Sequence, residues 1–170
     1  TLEAAVSAAL KSKHRKPAGL ERDAQRHPLE TLKFLGLKPT MTVVEYGPGE
    51  GWYTEILAPV LATGGKLFIT TTDPNGPADA RSTFYGERTK RTLELAPELY
   101  GKVTPIVIDS KNPQLGLEEK ADMVLVFRAL HGLHRDKLIA SFLATVHKAL
   151  KPNGVLGIEQ HRANADANPD

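Results

Sequence analysis

The chain has 170 residues, 41% of them hydrophobic and 25% charged, with no cysteine and a formal net charge of +2. That length predicts a single domain with a real core, and no apolar run approaches the roughly 20 residues that a membrane span needs, so no membrane association is expected. The lack of cysteine removes disulfides, thiolate metal sites and cysteine nucleophiles, and so small a net charge gives no basis for a nucleic-acid partner.

Taken in chain order, Leu2 to Leu10 has the apolar spacing of a short helix, which ends before the Pro17-Ala18-Gly19 break. The basic run Lys11, Lys13, His14, Arg15 and Lys16 reads as a solvated segment, with contact to an anion as its alternative. Leu20 to Arg26 predicts another short helix, and Pro28 suits the first turn of a third that stops at Gly36. An alternation then begins. Strands are expected at Met41–Glu45, Lys66–Thr71, Val103–Ile108, Met123–Phe127 and Val155–Glu159. Helices are expected at Trp52–Ala62, Thr89–Leu99 and Asp136–Leu150, the last with Leu138, Ile139, Phe142, Leu143, Val146 and Leu150 on one face. Pro59 lacks the amide that would bond back to Glu55, so the Trp52 helix is expected to kink or end near Ala58. Lys151-Pro152-Asn153-Gly154 predicts a turn in which Gly154 supplies positive φ.

Strands alternating with helices predict an α/β fold with a mostly parallel sheet covered on both faces, in the order 3-2-1-4-5. The expected organisation is one domain over 1–170, with N-terminal helices in 1–36, a Rossmann-like core over 41–159 and a frayed polar tail over 163–170. Any targeting signal is expected upstream of Thr1.

The most specific stretch is Glu45-Tyr46-Gly47-Pro48-Gly49-Glu50-Gly51-Trp52-Tyr53, an acid at a strand end followed by three glycines at alternate positions. Glycines there let a backbone approach a ligand, because no Cβ intervenes. A dinucleotide fingerprint would need its third glycine at position 52, where Trp52 stands. The pattern instead resembles motif I of class I S-adenosylmethionine-dependent methyltransferases. Arg22-Asp23 with Arg26-His27-Pro28, the run Gly47 to Pro59, Phe127-Arg128 with His131, Leu150-Lys151-Pro152 and His161-Arg162 further resemble a poorly characterised group of bacterial methyltransferases. The resemblance implies a Rossmann-like enzyme that binds S-adenosylmethionine at the carboxyl edge of the sheet and methylates a small-molecule acceptor. A non-catalytic protein that binds the cofactor is the alternative. Class I enzymes usually carry an antiparallel sixth and seventh strand, and these are expected to be missing or truncated here. Similar bacterial proteins often look exported, whereas activity with S-adenosylmethionine implies the cytoplasm. The sequence leaves compartment and oligomeric state open.

Gly47, Gly49 and Gly51 are expected to carry the turn beneath the cofactor. By resemblance Glu45 faces the methionine amino group, with capping of the next helix as its competing role. Asp73 follows the second strand, where an acid accepts from ribose hydroxyls, although Asp73-Pro74-Asn75-Gly76 is equally a turn sequence. Asp109 is placed by resemblance against the adenine, with an Asx turn as its competitor. Trp52 and Tyr53 are expected either to line the pocket or to serve the core. Phe127 to His134 follows the fourth strand, where the family builds the wall between cofactor and acceptor. There Phe127 and Arg128 are expected to contact the cofactor, and Arg128 alternatively binds an acidic acceptor or holds the N-terminal helices through Asp23. His131 is the expected base, because imidazole titrates near neutral pH. Glu159 and His161 are further pocket candidates. His131, His134 and Asp136 lack a third clear metal ligand, so no metal site is expected.

Overall fold

The computed structural model describes residues 1–168; Pro169 and Asp170, the end of the expected tail, lie outside the described residues. Nine helices and five strands are found among them: α1 Leu2–Leu10, α2 Pro17–Leu20, α3 Asp23–Arg26, α4 Pro28–Phe34, β1 Thr42–Tyr46, α5 Thr54–Leu61, β2 Lys66–Thr71, α6 Arg81–Leu95, α7 Pro97–Tyr100, β3 Val103–Val107, β4 Ala121–Phe127, α8 Leu130–Arg135, α9 Ile139–Ala149 and β5 Leu150–Glu159. The strands form one sheet in the order β3-β2-β1-β4-β5, with every pairing parallel. The chain runs outward from β1 to β3 and then returns to β4, so the switch point of this Rossmann-like fold lies between β1 and β4, where such sheets open a crevice.

The period of two along the central strands divides the core between the two faces of the sheet. Val43, Leu67, Ile69, Met123 and Leu125 pack on Ile56, Leu57, Val60 and Leu61 of α5, together with Val6 of α1 and Leu32 of α4. Val44, Tyr46, Val124 and Val126 pack on the opposite face against Phe142 and Val146 of α9. All five β1 residues are buried, as expected for the middle of a parallel sheet.

Several boundaries differ from the sequence reading, each for a local reason. Helix α5 continues through Pro59 to Leu61 rather than ending near Ala58. The Glu55 carbonyl that Pro59 cannot serve is bonded by His14 Nε2 at 2.8 Å, while Ser12 Oγ lies 2.6 Å from His14 Nδ1. Helix α6 begins at Arg81, well before Thr89, and stops before Ala96-Pro97. The helix expected over Asp136–Leu150 is α9, which begins only at Ile139, because Lys137 adopts φ 59° and breaks the chain between it and α8. In the β5 segment it is Asn153, not Gly154, that takes positive φ, at 65°. Gly154 is needed for space, since a Cβ there would stand 2.9 Å from the Lys151 carbonyl oxygen.

The basic run after α1 is not uniformly solvated. Arg15 is buried, its Nε 3.0 Å from Glu55 Oε2 and its Nη2 2.8 Å from Asp23 Oδ1. Asp23 therefore pairs with Arg15 rather than with Arg128. This ion network ties the N-terminal helices to α5.

Candidate active site

The glycine turn after β1 is the most distinctive backbone in the molecule. Gly47, Gly49 and Gly51 have φ of 63°, 58° and 81°, a region that disfavours any residue with a Cβ. A Cβ on Gly47 would also come within 3.0 Å of Ala129 Cβ, so the exits of β1 and β4 nearly touch. The Gly47 amide donates to Thr70 Oγ1 at 2.8 Å, fixing the turn to the end of β2.

Above this turn lies a cavity of about 520 Å3 at the carboxyl edge of the sheet. Its floor is Tyr46 to Glu50, and Thr70 to Thr72 after β2 form one wall. Ile108 and Ser110 follow β3, Ala129, Gly132 and Asp136 follow β4, and Tyr85, Arg88 and Thr89 of α6 close the side. Arg88 Nη1 reaches Glu50 Oε1 at 2.6 Å and joins α6 to the glycine turn. The backbone of α6 presses directly on the β2 exit, because a Cβ on Gly86 would stand 2.4 Å from the Thr72 carbonyl oxygen. A smaller recess beside the cavity is lined by Gly49, Gly51 and Thr54.

The expected site residues separate into three groups. Gly47 and Gly49 line the main cavity, and Gly51 lines the recess beside it. Glu45 is buried behind that recess and accepts a hydrogen bond from Thr54 Oγ1 at 2.6 Å. Removal from water pushes its carboxyl up to about 7, only partly offset by the Thr54 bond. Asp73 and Asp109 both close Asx turns, accepting at 2.8 Å from the amides of Asn75 and Lys111.

The third group lies on the other side of the β4 exit. Tyr53 stacks on Phe127 with ring centroids 3.5 Å apart and donates its hydroxyl to Glu159 Oε2 at 3.0 Å. Burial, reinforced by the Glu159 charge, pushes that phenol well above its ordinary range. Trp52 turns toward the N-terminal helices, its indole N–H donating to the Gly19 carbonyl at 2.8 Å. Arg128, at φ 55°, lines a separate cavity with Glu159 and His161. His131 is exposed, with Nδ1 3.4 Å from Gln160 Nε2, and does not line the main cavity.

Sequence reasoning missed Tyr46 and Asp136, which do line it. The signal available was position alone, since Tyr46 is the last residue of β1 and Asp136 caps the end of helix α8, which follows β4. Burial raises the Tyr46 phenol, and the Asp136 charge adds to that, whereas Arg135 holds the Asp136 carboxyl below its ordinary value. Asp136 is thus an ionised group at the cavity wall. Among the described residues no group of three or more His, Asp or Glu is arranged to hold a metal ion, and no helix is long and apolar enough to cross a membrane.

A family model described as "Methyltransferase domain" matches residues 20–169. The chain belongs to the methyltransferase domain family. Solved structures of similar fold include a SAM-dependent methyltransferase from Aquifex aeolicus, 21% identical with a TM-score of 0.64, covering 95% of this chain and 77% of that one. Coclaurine N-methyltransferase bound to N-methylheliamine and SAH is 16% identical, TM-score 0.58, with 88% of this chain and 38% of that one covered. The glycopeptide N-methyltransferase MtfA complexed with sinefungin is 18% identical, TM-score 0.54, with 76% of this chain and 50% of that one covered. At these identities the likeness is one of fold, and the methyltransferase domain described here spans half or less of the last two chains. No curated protein sequence matches it.

Proposed function

We propose that this methyltransferase domain binds S-adenosylmethionine in the cavity above the glycine turn and transfers its methyl group to a small-molecule acceptor. The observation that carries the reading is the turn itself, three glycines at positive φ of which Gly47 and Gly49 line a 520 Å3 cavity at the sheet's switch point and Gly51 lines the recess beside it. A cradle of that size fits a nucleoside-sized ligand. The glycopeptide enzyme of similar fold has also been solved with (S)-adenosyl-L-methionine, which agrees with this assignment.

In this reading the Gly49–Thr54 recess receives the amino-acid end of the cofactor, with Glu45 behind it. The carboxylate of Asp73 serves the ribose through Oδ2, which makes no hydrogen bond among the described residues. Ile108 and Ser110 border the adenine end. When bound, S-adenosylmethionine supplies a methyl group already activated on a sulfonium sulfur, so the protein's work is to align the acceptor and receive its proton. Asp136 is assigned that proton in preference to His131, because Asp136 lines the cavity and His131 does not.

The test is calorimetric titration of the chain with S-adenosylmethionine and S-adenosylhomocysteine, beside Gly49→Val and Asp73→Ala. Saturable binding is expected, weakened at least tenfold by Gly49→Val and less by Asp73→Ala. A folded protein that binds neither compound would overturn the proposal. Binding with no transfer to any acceptor in a small-molecule screen would favour a non-catalytic binding protein.

A further inference from the structure

Three of the sequence motifs that play no part in the glycine turn converge on one place. Arg22 and Arg26, at the two ends of α3, Arg128 after β4 and His161 after β5 line a second cavity of about 410 Å3, together with Glu159. We infer that this cavity binds an oxyanion, carboxylate or phosphate, on the methyl acceptor, an inference that rests on the methyltransferase reading above.

The charges do not balance within the cavity. Three guanidiniums face it and one carboxylate, Glu159, which is already shared between Arg128 Nη1 at 3.6 Å and the Tyr53 hydroxyl at 3.0 Å. Arg22 and Arg26 make no ion pair among the described residues, since Asp23 between them turns to Arg15. Arg26 lies over the Trp52 ring, 4.6 Å from its centroid, which fixes its plane without neutralising it. Burial and the nearby Arg128 and Arg22 charges lower the affinity of Arg26 for its proton, and a bound anion would relieve that repulsion. A guanidinium presents two parallel N–H donors that match both carboxylate and phosphate, so an oxyanion is the complementary ligand.

The backbone supports a purpose-built site. Arg128 adopts φ 55°, a conformation disfavoured for a residue with a Cβ, and its amide donates to the Glu159 carbonyl oxygen at 2.7 Å. The next residue, Ala129, lines the main cavity. The two cavities therefore flank a single turn, and an acceptor anchored on Arg128 is held beside the wall of the cofactor cavity.

Trp52 is the one tryptophan in the sequence, so its fluorescence reports on Arg26 directly. The chain is titrated with sodium phosphate and, separately, sodium succinate at constant ionic strength, with and without S-adenosylhomocysteine. The expected result is a saturable Trp52 signal with at least one of the two anions, its midpoint raised at least tenfold in Arg22→Gln and in Arg128→Asn. Arg22 is exposed and Asn tolerates positive φ, so both variants should fold, which circular dichroism checks. The anion that binds more tightly identifies the acceptor's acidic group. No saturable signal with either anion, or unchanged midpoints in both folded variants, would overturn the inference. Calorimetry with S-adenosylhomocysteine separates the two failures: cofactor binding without anion binding removes this inference alone, whereas anion binding without cofactor binding removes the methyltransferase reading and with it the acceptor role.

Discussion

Glu45 and Glu55 stand on either side of the glycine turn and are almost equally buried, at 2% and 1% exposed, yet their surroundings differ in kind. Around Glu55 the N-terminal segment supplies cations, with Arg15 Nε at 3.0 Å and Lys16 Nζ at 3.7 Å. Around Glu45 there is one hydroxyl, from Thr54. The first acid joins two parts of the fold, and its charge is matched before any ligand arrives. The second is an unmatched acid behind the proposed methionine recess, where a ligand's ammonium group would supply the missing charge.

The largest effect is expected from breaking the matched side. Arg15→Ala leaves Glu55 buried without its main partner and should destabilise the fold by about 3–5 kcal/mol in urea unfolding. A loss below about 1 kcal/mol would mean that water replaces the guanidinium, and the contrast between the two acids would collapse.

The unmatched side is tested through pH. The Glu45 carboxyl is raised to about 7 in the folded chain, against an ordinary value of 4.5. The folded state thus keeps a proton that the unfolded chain has released, and this contribution makes stability fall as pH rises from 4.5 to 7, by roughly 3 kcal/mol in total. Glu45→Gln should flatten that part of the profile and leave the variant more stable than wild type at pH 8. Parallel profiles for the two proteins would show that Glu45 ionises without penalty.

The smallest expected effect sharpens how the N-terminal segment is attached. His14→Ala removes the donor to the Glu55 carbonyl and should cost about 1–2 kcal/mol. In a Pro59→Ala background the new amide can serve that carbonyl, so the same substitution should cost about 1 kcal/mol less, measured as a double-mutant cycle. Equal costs in both backgrounds would mean that His14 acts through packing alone.

This pattern also shows what the sequence made legible. Short apolar runs located all five strands and periodicity the main amphipathic helix, because central strands covered on both faces, such as β1 and β4, are buried at nearly every position. The glycine turn was legible because positive φ at three alternate positions leaves a direct mark on residue type. Arg15 and His14 were not, since their partner Glu55 is 40 or more residues away and a basic run looks the same whether it faces water or a buried carboxylate. The early start of α6 was hidden by its polar first turns, where Arg81 and Arg88 gather on the Tyr85 ring instead of an apolar stripe. The cavity residues Tyr46 and Asp136 carry no motif and become visible only once strand order brings their loops together.

The contact at Gly86 makes one wall of the main cavity a matter of main chain against main chain. With only 2.4 Å available between a Cβ at position 86 and the Thr72 oxygen, even alanine must push α6 away from the sheet. Tyr85, Arg88 and Thr89 would travel with it. The calibre of the cavity is therefore governed from a residue with no side chain to offer a ligand, and widening it for a bulkier guest begins there.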